Sequence, residues 1–361
     1  MPEQQPTGVF SFFSGTGFLD LGFEDAGFEI CLVNEIHKPF LDAYQFSRKN
    51  LGKNPPRYGF DRISLENYQY SDTLKAVFQR AFGEFRTVGF IGGPPCPDFS
   101  IAGKNNGENG DNGRLSKTYV DLICDVQPHF FLFENVKGLY KTHKHRAFFE
   151  QLKKKLEKAG YTLFESLINS IEYGAPQDRD RIILIGVKTK ITMEFEWQGR
   201  RFCRQEIFAS GWPTTESFRE NSVRKPPKNL PLELTAQYWF SLNEVTSHPN
   251  AVHHFRPKAT ERFNSVAEGD TSKKSYKRLH RWRYSPTVAY GNNEVHLHPY
   301  KARRLTVAEA LSLQSLPKAF QLPPDMTLSN MFKTIGNGVP YLAGLGLAQS
   351  IKQHLAEVTC S

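Results

Sequence analysis

The chain is poor in features that would give it an easy label. Its 361 residues include only five cysteines, at 31, 96, 124, 203 and 360, an odd number with no C-x-x-C pair. That spacing excludes a disulfide framework and a cysteine zinc knuckle, and it points to a reducing compartment. No apolar run approaches the length of a membrane span. The opening Met1-Pro2-Glu3-Gln4-Gln5-Pro6 lacks the basic flank and apolar centre of a secretory signal, so a cytoplasmic location is expected. There is no internal repeat and no low-complexity tract. The paired histidines His253-His254 and His296-x-His298 have no cysteine or acid to complete a metal set. They read instead as solvated or phosphate-contacting residues, and no metal is expected.

What is abundant is positive charge, +9 in net terms, and a hydrophobic content of 39% that suits a globular core. Between Arg256 and Arg283 nine Lys or Arg face three acids, interleaved with Phe255, Phe263, Tyr276, Trp282 and Tyr284. This pattern suits contact with phosphates beside bases or sugars.

The first half of the chain alternates apolar runs with amphipathic ones. Strands are expected at 8–14, 28–34, 87–91, 129–133, 161–171 and 181–187, with helices at 18–26, 39–48, 116–126 and 146–159. That rhythm predicts an α/β fold with a mostly parallel sheet covered on both faces. After Lys188 it gives way to a polar, basic, proline-punctuated stretch, and it returns in helices at 306–316 and 341–355. The expected organisation is a cofactor-binding catalytic domain, 1–187 with 321–361, and a smaller target-recognition domain, 188–320.

Four segments carry chemistry. Gly92-Gly93-Pro94-Pro95-Cys96-Pro97-Asp98-Phe99-Ser100 follows a buried strand and offers a thiol on a stiff, exposed turn, the placement a nucleophile needs. Phe13-Ser14-Gly15-Thr16-Gly17 lies at a strand-to-helix turn, and Glu35 ends the next strand about 20 residues on, where a carboxylate can accept from ribose hydroxyls. Asp20 stands where a third glycine would mark a dinucleotide site. Asp61 is placed either to meet an adenine amino group or to cap its own loop. Glu134 ends the intensely apolar run Phe130 to Phe133, where desolvation would favour its protonated form. In Gln177-Asp178-Arg179-Asp180-Arg181, alternation sends both arginines to one side and both aspartates to the other.

Taken in order, these segments resemble the cytosine-C5 DNA methyltransferases. The match runs through Phe13 to Gly17, Pro95-Cys96, Glu134-Asn135-Val136, Gln177-x-Arg179-x-Arg181, Arg304-Leu305-Thr306 with Glu309, Gln314 and Pro317, and Gly336-Asn337-Gly338-Val339-Pro340. It leaves only the middle variable region uncovered. Two residues depart from the family pattern. Pro97 replaces the usual glutamine, and Gly338 stands where serine or alanine is common.

The resemblance implies a Rossmann-like fold and S-adenosylmethionine as cofactor, lined by Phe13, Gly15, Thr16, Gly17, Glu35, Asp61, Pro95 and Asn337. It implies catalysis by Cys96, Glu134, Arg179 and Arg181 on a cytosine flipped out of duplex DNA. Ser100, Arg281, Arg283, Asn292 and Asn293 are the expected DNA contacts. The segment from Ala102 to Gly113 is expected to act as a lid. A monomer working on double-stranded DNA is expected, with a cognate restriction endonuclease as a potential partner. The tRNA-acting branch of the family is the nearest alternative, but the Cys-Phe-Thr tripeptide typical of that branch is absent. A non-catalytic DNA-binding regulator would have no use for Cys96.

Overall fold

The computed structural model describes residues 7–95, 111–188, 194–256, 261–273, 275–288, 290 and 295–360. Its centre is a seven-stranded sheet. In chain order the strands are β1 (Thr7–Phe12), β2 (Glu29–Asn34), β3 (Phe60–Asp61), β4 (Thr87–Gly92), β5 (Phe130–Val136), β6 (Thr162–Asn169), the two-residue β7 (Gln177–Asp178) and β8 (Asp180–Val187). The sheet order is β3-β2-β1-β4-β5-β8-β6, with β7 outside it. The first five strands run parallel, while β8 pairs antiparallel with both β5 and β6.

Strict alternation sorts the sheet's side chains into two cores. Phe10, Phe12, Val88, Phe90, Phe131 and Phe133 point to one face. There they meet α3 (Asp72–Glu84), α4 (Asp111–Val126) and α5 (His143–Lys158). Val9, Ile91, Phe130 and Leu132 point to the other, where α1 (Phe18–Asp25), α2 (Lys38–Asn50) and the C-terminal helix complete the sandwich. A run such as Phe130 to Phe133 is thus apolar at every position because both of its faces are covered.

Beyond residue 194 regular structure is sparse. Helices α6 (Arg204–Ala209), α7 (Ala236–Leu242) and α8 (Glu261–Ser265) alternate with the two-residue strands β9 (Lys277–Arg278), β10 (Ser285–Pro286) and β11 (His296–Leu297). The chain then forms α9 (Val307–Leu313), α10 (Leu328–Asn337) and α11 (Tyr341–Cys360), the last packing along α1. Thr306 caps α9 in a reciprocal box with Glu309. This late region is fastened to the sheet through β10, which pairs with β7, Ser285 opposite Gln177. No helix of the described residues is long and apolar enough to cross a membrane.

Candidate active site

Strand order reverses direction between β1 and β4, and the crevice at the carboxyl ends of the strands beside such a point is where open α/β sheets bind ligands. The register places Asn34, Phe12, Gly92 and Phe133 in one row across β2, β1, β4 and β5. The next residue on each strand therefore leaves the same edge: Glu35, Phe13, Gly93 and Glu134. Neighbouring strands are about 4.8 Å apart, so four of the expected segments converge within a short span.

The glycine turn is built around Glu35. One carboxylate oxygen accepts from the Gly15 amide at 2.9 Å and the other from the His37 amide at 2.8 Å. Gly15 adopts φ +56°, and a side chain there would meet nothing closer than Thr334 Oγ1 at 3.8 Å. The turn thus presents bare, left-handed backbone beside open space, a cradle that fits the adenosine-containing group expected there. Phe13 also has a positive φ, +54°, and its ring stands edge-on to Tyr119. Thr16 is buried and shares a hydroxyl bond of 3.0 Å with Thr334 on α10, so it ties the turn down rather than facing a ligand.

Behind the turn lies a buried ionic cluster. Arg48 donates to the Gly17 carbonyl at 2.7 Å and pairs with Glu24 at 2.8 Å. Asp20, in the place of the third glycine, accepts from Ser11 at 2.8 Å. Burial pushes both carboxyls up, Glu24 to about 7.

Asp61 spends both oxygens inside its own loop, accepting from Asn34 Nδ2 at 2.6 Å and from the Ile63 amide at 3.2 Å. These bonds fix the carboxyl at the end of β3 beside Asn34, and each oxygen keeps a second lone pair for a further donor. Sequence reasoning passed over Ile36, which is 59% exposed directly after Glu35. A large apolar side chain left in water beside a ribose-type carboxylate is the signal that marks it.

At the β4–β5 side, Glu134 is buried and its Oε1 receives Arg181 Nε at 2.8 Å. Its Oε2 lies 2.7 Å from where a Cβ on Gly93 would stand, so only glycine lets the loop pass over this carboxyl. Asn135 Nδ2 reaches the Pro94 carbonyl at 3.5 Å. The loop that leads to Cys96 is therefore laid directly across Glu134. Pro95 is exposed at its described end, while Cys96, Ser100 and residues 102–110 of the expected lid lie outside the described residues, and its last three residues begin α4.

The alternation expected for the arginine segment is present. Asn169 Nδ2 donates to Asp178 at 2.7 Å and to Asp180 at 2.9 Å on one side, leaving the arginines to the other. Arg181 reaches Glu134; Arg179 does not. It is fully buried and donates to the carbonyls of Val288 at 3.0 Å, Gly336 at 2.9 Å and Asn337 at 3.4 Å. With no carboxylate bonded to it, burial holds its pKa well below the usual guanidinium range. Arg179 is thereby a rivet between β8, the end of α10 and the segment after β10, with Arg181 and Glu134 near enough to act on its charge. Gln177 works beside it, donating to the Leu313 carbonyl at 3.1 Å and accepting from the Val288 amide at 3.0 Å. The side chain of Asn337 is exposed at the end of α10.

Much of the described basic stretch is built into the fold rather than left in water. Arg278 is fully buried and donates to the carbonyls of Val266, Phe263, His298 and Lys301. Arg281 is buried against Glu268, its Nε 2.8 Å from Oε1 and its Nη2 2.8 Å from Oε2. Its guanidinium is committed to the domain's own core and does not face a base edge. Arg283 is half-buried, its guanidinium beside the Tyr284 ring, and Asn292 and Asn293 lie outside the described residues. His296 and His298 are buried rather than solvated, and burial pushes both down to about 3.

A mostly parallel sheet whose carboxyl edge gathers a glycine turn, a ribose-type acid and a buried Glu–Arg pair defines a Rossmann-like methyltransferase. The family model for C-5 cytosine-specific DNA methylase matches residues 8–353. The chain is 56% identical over 360 residues to the type II methyltransferase M.NmeDI of Neisseria meningitidis serogroup C, covering 98% of this chain and 85% of that one. It is 29% identical to the type II methyltransferase M.FnuDI of Fusobacterium nucleatum, covering 97% and 95%. Among solved structures, the Dnmt2 methyltransferase of S. pombe shares the fold with a TM-score of 0.61 at 13% identity, over 96% of this chain and 99% of that one. The chain belongs to the C-5 cytosine-specific DNA methylases, and it is a DNA cytosine-5-methyltransferase.

Proposed function

We propose that this enzyme methylates carbon 5 of cytosine within a specific double-stranded DNA sequence, using S-adenosylmethionine and covalent addition of Cys96 to carbon 6. The observation that carries the reading is the row of Glu35, Phe13, Gly93 and Glu134 along one sheet edge, with Arg181 bonded to Glu134.

Carbon 5 of cytosine is a poor nucleophile. Addition of a thiolate at carbon 6 breaks the ring's 5,6 double bond and turns carbon 5 into the nucleophilic end of an enamine. Cys96 makes that addition, and a guanidinium, Arg181 by the family resemblance, would favour its thiolate form. Glu134 provides the proton that offsets charge developing at ring nitrogen 3. Arg181 fixes the orientation of that carboxyl. S-adenosylmethionine, when bound, would supply an electrophilic methyl group to carbon 5, and Gly15, Glu35, Ile36 and Asn337 would hold it. Loss of the carbon-5 proton then releases the thiol.

The cytosine must leave the duplex to reach this edge, at a cost of a few kcal/mol. By analogy with the type II relatives, the enzyme protects a site that a cognate endonuclease cuts. It acts as a monomer in the cytoplasm, on the nucleoid. Residues 188–320 choose the site.

The test is transfer of labelled methyl to unmethylated duplex DNA and, separately, to total tRNA, with Cys96→Ala and Glu134→Gln alongside. The expected result is 5-methylcytosine in DNA, none with Cys96→Ala, and a rate about 10²–10⁴-fold lower with Glu134→Gln. Label confined to tRNA, or a fully active Cys96→Ala, refutes the reading.

A further inference from the structure

The basic residues of the late region that a sequence would nominate as base readers are largely spent inside it. What Arg281 holds in place is the short turn from Arg219 to Lys225. Val223 at its tip is 95% exposed, more than any other large apolar side chain of the described residues, and it is the only exposed apolar residue in the turn. A lone exposed valine is ordinary. A valine held this rigidly is not.

Asn221 takes a left-handed φ of +56°, and its amide donates to the Tyr300 carbonyl at 2.7 Å. Ser222 is gripped from beneath by Arg281, which donates to both its carbonyl and its hydroxyl. Arg281 is itself fixed by Glu268, which is fully buried, and by the Tyr300 ring 4.3 Å away. On the far side Trp282 Nε1 donates to the Arg224 carbonyl at 3.2 Å. Burying an ion pair costs several kcal/mol per charge before the attraction is counted. A fold that spends a buried Arg–Glu pair on the backbone of one surface turn gains orientation from it rather than much stability.

The turn is tied to the reaction centre by a short path. Arg281 lies four residues before Ser285, which pairs with Gln177, itself four residues before Arg181. Two spans of at most about 14 Å each, one strand spacing and the arginine's own reach keep Val223 within roughly 40 Å of the Glu134–Arg181 pair. Exposed Arg219 and Lys225 flank the tip and suit the phosphates on either side.

We propose that Val223 is a specificity-determining residue, seated by the Arg281–Glu268 clamp so that its methyl groups meet the 5-methyl edge of a thymine in the major groove of the recognition sequence. The inference rests on the DNA-methylating function above. In the major groove the thymine methyl is the one apolar feature of a base edge, and apolar side chains read it by contact.

The test uses full-length protein and a library of duplexes randomised around a fixed cytosine, with methylated products read by bisulfite sequencing. Wild type, Val223→Thr, which keeps shape but replaces a methyl by a hydroxyl, and Val223→Ala are compared, with Ser222→Ala to loosen the clamp. The expected result is that both Val223 variants relax a single thymine position by about tenfold and leave the other positions intact, at an unchanged melting temperature. Ser222→Ala should relax the same position to a smaller extent. Variants that return the wild-type motif at every position overturn the inference alone. A wild-type enzyme that modifies no duplex overturns the function beneath it, and the inference with it.

Discussion

Adding one methyl group at Gly338 should damage the cofactor side of this enzyme, although alanine or serine is common there in the family. The backbone is no obstacle, since Gly338 sits at φ −64° and ψ 149°, which any residue adopts. The obstacle is Phe18: a Cβ on Gly338 would lie 2.1 Å from its Cδ2 and 2.6 Å from its Cε2, more than 1 Å inside ordinary contact. Phe18 has nowhere to go, being 2% exposed and wedged edge-on against Phe320 at 5.1 Å between ring centres. Overpacking of this kind costs about 1–3 kcal/mol. With an unfolding entropy near 0.8 kcal/mol/K for a chain of this length, the melting temperature of Gly338→Ala should fall by about 1–4 °C.

The displaced segment is the one whose carbonyls at Gly336 and Asn337 anchor Arg179, so S-adenosylmethionine affinity should fall as well. Differential scanning calorimetry and titration calorimetry with the cofactor read the two effects. Phe18→Leu removes the ring edge, so in that background the Gly338→Ala penalty should shrink, with a coupling energy of at least about 0.5 kcal/mol in the double-mutant cycle. A Gly338→Ala protein that melts no lower than wild type, or a penalty equal in both backgrounds, refutes the argument.

Two other outcomes follow from buried charge. Arg179→Met strands the carbonyls of Val288, Gly336 and Asn337 and should cost about 2–4 kcal/mol in urea unfolding, with Arg179→Lys recovering part of it; a Met variant of wild-type stability would deny the rivet. Burial raises Glu24 from 4.5 to about 7, so its stabilising share is full below about pH 4.5 and is lost as pH rises through about 7. Glu24→Gln should therefore flatten the fall in stability over that window, on the order of 3 kcal/mol, and an unchanged pH profile of unfolding would show that the acid is already ionised there.

Much of this fold was legible because strands covered on both faces leave unbroken apolar runs, as in Thr87 to Ile91 and Phe130 to Phe133. What escaped had no periodic signal. β3 is two residues long, and α10 is a helix whose Asn330, Lys333 and Asn337 break up the apolar pattern. The reversed direction of β8 leaves no mark in the order of hydrophobic residues. The site followed the same division. Phe13, Glu35 and Gly93 could be placed because each directly follows a strand, and Glu134 because it closes the apolar run of β5, two residues before the strand's end. The fates of Arg179 and Arg281 could not, because a guanidinium's destination depends on partners such as Val288 and Glu268, far off or unremarkable in sequence. A run of positive charge reads alike whether it faces water or holds a core together.

The reversal of β8 has a geometric consequence. In a wholly parallel sheet only the residues that finish strands arrive at the working edge, and those that begin strands lie at the far one. Arg181 is the second residue of its strand, and had β8 run with β5 its guanidinium would have been displaced by most of the strand's length, about 20 Å. Turning one strand around brings the start of a strand to an edge otherwise built from endings. It delivers the cation to a carboxyl that no helix or loop insertion is needed to reach.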